Sequence, residues 1–194
     1  MVIKDISQLD PKGTYTYADY LQWQFEETVE LIKGRIYRMS PAPLRQHQKI
    51  SGRLFTRISV FLEEKTCELY DAPFDVRLPK ISVEARQIYT VVQPDLCVIC
   101  DPAKLDDRGC VGAPDWVIEI TSPGTLKKDF GEKYSLYEAS GVREYWIVVP
   151  ESQTVHVYFL KGDQYEQVAI YEKEGLVPVN IFPDLVLNAT AVFA

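Results

Sequence analysis

The sequence predicts an α/β (α+β) fold, a mixed β-sheet flanked by helices. Three observations carry this: a helix-period segment near residues 45–64, short β-like runs between 68 and 120, and a second helix followed by further strands after residue 126. With 194 residues, 46% of them apolar, the chain can bury a sizeable core, and no repeat or linker divides it. One domain over 1–194 is expected, its core at about 16–160 and a peripheral β extension at 161–194.

Residues 16–27 read as a short helix with Thr16 as N-cap. Val29–Ile32 and residues 35–39 read as two strands around a tight turn at Lys33-Gly34, and residues 40–43 break the chain. A long helix follows over about 45–64, because Ile50, Leu54, Ile58 and Phe61 fall on one arc of a 3.6-residue wheel. Arg45, Lys49, Arg53 and Arg57 occupy the neighbouring arc at i, i+4 spacing. His47 lies within the apolar arc and should point inward, either as a hydrogen-bonded core residue or as a functional one. Strands are expected at 68–70, 74–78, 91–92, 95–100 and 116–120. Thr121-Ser122-Pro123 ends the last of these, and a helix over about 126–140 closes at Gly141. Strands at 144–149 and 155–160, with peripheral β structure at 165–171 and 185–187, complete the order.

The N-terminal segment lacks the layout of a secretion signal, and no apolar run approaches the ~20 residues of a bilayer span, so a soluble cytoplasmic protein is expected. Four cysteines, Cys67, Cys97, Cys100 and Cys110, are too few and scattered for a disulfide framework, and reduced thiols are expected. Net charge is −7, so nucleic-acid affinity would have to come from a local patch. Residues 33–58 supply one, with seven Lys or Arg and no Asp or Glu. A solvated helix face reads the same way.

Two carboxylates stand where strands otherwise carry apolar side chains. Asp95 follows Gln93-Pro94 and opens Leu96-Cys97-Val98-Ile99; Glu119 is embedded in Trp116-Val117-Ile118-Glu119-Ile120, on the face it shares with Val117. An ionised carboxylate there must be paired or coordinated, and an ion pair and a metal satisfy that requirement equally. Hard divalent ions need little more than two carboxylates and a backbone carbonyl from the protein. Lys127, Lys128 and Lys133 follow closely, and Lys133 shares a helix stripe with Asp129 and Tyr137, where an Asp129–Lys133 pair is the simplest explanation. Asp115 competes as a candidate because it alternates onto the face of Val117 and Glu119. Cys97-x-x-Cys100 as half of a zinc site lacks a second pair of ligands.

The segments TVELIKGRIYRMSP, QPDLCVICDP, APDWVIEITSPGT and KKDFGEKYSLYEASGVREYWIV, in this order and spacing, resemble the Uma-type family of restriction-endonuclease-like proteins, within the PD-(D/E)XK nuclease superfamily. The resemblance covers about residues 16–160 and implies a restriction-endonuclease-like sheet. It implies Pro94-Asp95 as the PD element, Glu119 as the second acidic ligand, Glu30 as an accessory acid able to complete a metal shell, and His47 as a family histidine that orients water or contacts phosphate. The superfamily lysine two residues after the glutamate is Thr121 here, and Lys133 from the following helix is the expected substitute. The implied chemistry is Mg²⁺ (or Mn²⁺) held by Asp95, Glu119 and the Ile120 carbonyl, with hydrolysis of nucleic-acid phosphodiesters, DNA first among them. If no lysine reaches the site, a DNA- or protein-binding module on the same fold is the alternative. A homodimer fits by analogy, with Tyr145-Trp146-Ile147 and Tyr158-Phe159-Leu160 offering either an association surface or buried strands.

Overall fold

The computed structural model describes residues 2–39 and 44–194, so the break expected at 40–43 lies outside the described residues. The elements run α1 (Tyr17–Tyr20), β1 (Val29–Ile32), β2 (Arg35–Arg38), α2 (Arg45–Leu62), β3 (Glu68–Asp71), β4 (Val76–Arg77), β5 (Val91–Val92), β6 (Leu96–Ile99), β7 (Leu105–Asp106), β8 (Gly109–Val111) and β9 (Trp116–Ile120). Then follow α3 (Leu126–Lys128), a π-helical turn (Asp129–Lys133), α4 (Tyr134–Ser140), β10 (Glu144–Val149), β11 (Thr154–Lys161), β12 (Gln164–Tyr171), β13 (Leu176–Val179), β14 (Phe182–Asn188) and α5 (Ala189–Phe193).

The central six-stranded sheet has the order β12-β11-β10-β9-β6-β3. Its neighbours are antiparallel except β9 and β10, which run parallel, as the crossover through α3 and α4 requires. β10 sits deep in the sheet, and its six residues are all buried, which explains its unbroken apolar run. Tyr145, Trp146 and Ile147 are therefore interior and offer no association surface. A second six-stranded sheet, β2-β1-β5-β4-β8-β7, lies over one face of the first.

Strand alternation divides the core in two. On one face Leu96, Val98, Trp116, Ile118, Trp146 and Val148 pack against Ile50, Leu54, Ile58 and Leu62 of α2. The β13–β14 hairpin and α5 join this layer through Leu185, Leu187, Val192 and Phe193. On the other face Cys97, Ile99, Val117, Tyr145 and Ile147 meet Leu136 and Tyr137 of α4 and Ile32, Val76 and Val92 of the second sheet. Glu119 shares the face of Val117 and thus projects toward α4 and the second sheet.

Several local expectations change. Thr16 forms a full capping box with Asp19, but α1 ends at Tyr20, because the residues beyond it enter an aromatic cluster of Tyr15, Tyr20, Trp23 and Phe25. Lys33 and Gly34 both have positive φ, as a tight hairpin turn with right-handed strand twist demands. A side chain at Gly34 would meet Thr14 Cγ2 at 2.6 Å. Gly141 closes α4 in the left-handed conformation.

The cysteines depart from expectation most. Cys67 and Cys100 form a disulfide, because the pairing of Glu68 with Ile99 in β3 and β6 brings the two flanking cysteines opposite one another. Cys97 and Cys110 are free and buried. Cys97 and Cys100 belong to different core layers, which removes the zinc half-site.

Leu54 is fully buried beneath the central sheet. Leu54→Ala should lower unfolding free energy by about 2–5 kcal/mol, measured by urea denaturation, with no change in the slope of the transition.

Candidate functional site

At one end of the sheet, β6 begins and β9 finishes. Their register pairs Leu96 with Ile118; one step further it sets Asp95 opposite Glu119. The backbone N–H of Ile120 donates to Asp95 Oδ2 at 2.7 Å, fixing that carboxylate against the end of β9. His47, in the first turn of α2, approaches the same oxygen with Nε2 at 3.2 Å, while its buried Nδ1 has no partner. Burial pulls this imidazole's pKa down, but the hydrogen bond and charge of Asp95, with the Ile120 backbone and Asp129, outweigh it and raise the pKa overall.

Glu119 is enclosed. Its Oε1 accepts from Lys133 Nζ and from Tyr137 Oη, each at 2.7 Å. Lys133 also reaches Glu30 Oε1 at 3.0 Å, so one ammonium bridges two acids from two sheets. The π turn over Asp129–Lys133 carries it there, a local widening of the kind that recurs at functional sites. The expected Asp129–Lys133 pair is replaced: the ion-pair partners of Lys133 are Glu119 and Glu30, and Asp129 acts on it at longer range.

Glu30, on β1, has both oxygens taken. Oε1 accepts from the Gln93 backbone N–H at 3.0 Å and forms an ion pair with Lys133, and Oε2 accepts from Lys128 Nζ. Burial pushes its pKa up, yet the two lysines hold it below its ordinary value. Among the described residues it thus holds lysines in place. Lys128 also lies 5.1 Å from the centre of the Tyr37 ring, and Tyr37 is itself fixed by donating to Glu132 Oε1 at 2.7 Å.

The charges do not balance. Asp129, Asp95 and Glu30 all lie within electrostatic reach of Glu119, four carboxylates against Lys128, Lys133 and the imidazole of His47 beside Asp95. Burial first, and then the neighbouring acids, push Glu119 up to about 8 and Asp129 up to about 6, even with Lys133 attracting both. Lys133 moves upward because the charges of Glu119, Glu30 and Asp129 exceed its own burial cost.

The remaining candidates sort cleanly. Asp115 accepts from the Cys100 N–H at 2.8 Å and from Arg143 at 3.2 Å, at the opposite end of β9, about 13 Å along the strand from Glu119. It joins strands. Thr121, two residues after Glu119, is buried with an unpartnered hydroxyl. Of the basic stripe on α2, Arg45 and Lys49 are exposed, whereas Arg53 donates to the Val192 and Ala194 carbonyls and Arg57 to the Arg53 carbonyl. Half the expected phosphate-binding stripe is thus engaged with the protein itself. The family resemblance implied Lys133; Lys128 and Tyr137, noted only for their positions near it, were given no site role, since only tertiary packing brings them to the acids.

A mixed sheet whose strand ends gather buried acids around a helix-borne lysine defines a restriction-endonuclease-like architecture. The Uma2 family model, described as "Putative restriction endonuclease", matches residues 17–190. The protein slr1290 of Synechocystis sp., described as uncharacterized, is 31% identical over 148 residues, which are 75% of this chain and 74% of that protein. A crystal structure from Anabaena variabilis, described as a "putative nuclease belonging to DUF820", superposes with a TM-score of 0.72 at 24% identity, covering 92% of this chain and 97% of the other. The chain belongs to the Uma2 family. No described helix is long and apolar enough to cross a membrane.

The charge excess has a measurable sign. The folded pKa of Glu119 lies above its ordinary 4.5, so the stability this group contributes is complete in acid and lost as pH rises through its folded value. Asp129 and His47 act in the same direction. With EDTA present, Tm should fall between about pH 5 and pH 8.5, and Glu119→Gln should make the fall shallower; a flat profile for the native chain would contradict the charge excess.

Proposed function

We propose that this protein is a divalent-metal-dependent nuclease that hydrolyses nucleic-acid phosphodiesters, DNA being the expected substrate. The observation that carries the reading is Lys133 Nζ lying 2.7 Å from Glu119 and 3.0 Å from Glu30, beside Asp95, so that a helix supplies the ammonium that the strand lacks at Thr121. The family and fold likenesses support the same class of chemistry.

The donor set suits a hard divalent cation such as Mg²⁺ or Mn²⁺: the carboxylates of Asp95 and Glu119 with the Ile120 carbonyl, all oxygen, in a pocket with surplus negative charge. Among the described residues no three His, Cys, Asp or Glu side chains converge as a finished cage, so water would complete the shell, as Mg²⁺ prefers. A cation held there lowers the pKa of bound water and neutralises charge on phosphate oxygens.

The chain's own groups have separable tasks. Lys133 donates to Glu119 and forms an ion pair with Glu30, and its ammonium would orient the attacking water. Water oxygen bonds to phosphorus, one P–O ester bond breaks in line, and the leaving oxygen takes up a proton. His47, carrying a raised pKa and hydrogen-bonded to Asp95, is placed to contact a phosphate oxygen or hold a water. Tyr137 keeps Glu119 aimed.

Single- and double-stranded DNA, each incubated with Mg²⁺ or Mn²⁺, should be cut by the native chain. Asp95→Ala, Glu119→Ala and Lys133→Ala should each slow cutting by about 100-fold or more. A native chain that cuts no substrate would sink the reading and favour a binding module. Independently of turnover, Mg²⁺ at about 100 times its Kd should stabilise the protein by about 2.7 kcal/mol at alkaline pH, seen as a rise in Tm that Asp95→Ala abolishes.

A further inference from the structure

We propose that Lys128 is a preorganised phosphate-binding residue of this site, taking a non-bridging oxygen of the nucleic-acid backbone next to the bond that is cut. The proposal rests on the nuclease reading and adds a residue to it.

Donor accounting separates the two lysines of the cluster. Lys133 is 5% exposed at its side chain, donates to Glu119 and forms an ion pair with Glu30, so its ammonium is enclosed by the two acids. Lys128 is 21% exposed at its side chain, and among the described residues its ion-pair partner is Glu30 Oε2. That partial exposure leaves the ammonium within reach of a phosphate arriving from solvent. It is also the lysine that a phosphate can meet without uncovering a buried charge, because Glu30 keeps Lys133 and the Gln93 N–H on its other oxygen.

Lys128 is held in place before any ligand arrives. Glu30 anchors its ammonium on one side and the Tyr37 ring supports it on another, with the ring itself fixed by Glu132. β1 and β2 set this arrangement, since Glu30 pairs directly with Tyr37 across the hairpin. A lysine restrained by both neighbours loses less side-chain freedom on binding phosphate than an exposed one would. Glu30 in this scheme is a positioning residue for both lysines.

The test is binding of a short fluorescein-labelled DNA duplex by anisotropy across a range of NaCl, with Ca²⁺ in place of Mg²⁺ so that binding is read apart from cutting. One lost phosphate contact lowers the log–log salt slope by about 0.9. Lys128→Ala should show that drop and Lys128→Arg should restore it. Lys65→Ala, the same charge change beyond the far end of α2, should leave the slope as it was. A native slope retained by Lys128→Ala, or an equal drop in Lys65→Ala, overturns the role of Lys128 while leaving the nuclease reading intact. A native chain with no salt-dependent binding overturns both.

Discussion

Lys133 lies between Glu119 and Glu30, and the rest of the site is arranged around the need to keep those three charges buried together. A buried carboxylate without its partner costs several kcal/mol, so the helix that brings the ammonium must dock whenever the sheet that carries Glu119 forms. That links three layers at one point: β9 supplies Glu119, the second sheet supplies Glu30, and the helical crossover supplies Lys133 and Tyr137. The apolar core on either side holds these elements together, and the ion pairs join them at this one point.

The surplus of acids gives this arrangement its chemical character. A purely structural ion-pair network settles near neutrality, whereas here Glu119 and Asp129 are both pushed toward the protonated form by burial and by their neighbours. Groups whose environment resists their charge are the ones able to gain most from a cation or a bound proton, which is why perturbed acids concentrate at functional sites. Asp115, just before β9, instead ties strands together through an arginine and a backbone N–H.

Much of this was legible in the chain. Period-two alternation placed Glu119 on the face away from Trp116, Ile118 and Ile120, and the Pro94-Asp95 step placed Asp95 at a strand start; the β6–β9 register then brings the two opposite each other. The long helix α2 was readable from Ile50, Leu54 and Ile58, and the hairpin from Lys33-Gly34. What escaped were pairings that depend on distant register. The Cys67–Cys100 bond follows from how β3 aligns with β6, the hold of Glu30 on Lys128 follows from how the two sheets stack, and neither leaves a local trace. α1 stops early for a related reason, since the aromatic cluster around Trp23 outcompetes local helical preference.

The π turn at Asp129–Lys133 changes how the ammonium is mounted. A lysine at the Thr121 position would share its backbone with Glu119, and strand geometry alone would set the distance between them. Carried on the helix, it belongs to a separate body whose tilt and sliding against the sheet adjust that distance. The gap between the acids and the ammonium is therefore set by how Leu136 and Tyr137 pack on the sheet. A substitution at Leu136, which makes no polar contact with the acids, would change that gap through packing alone.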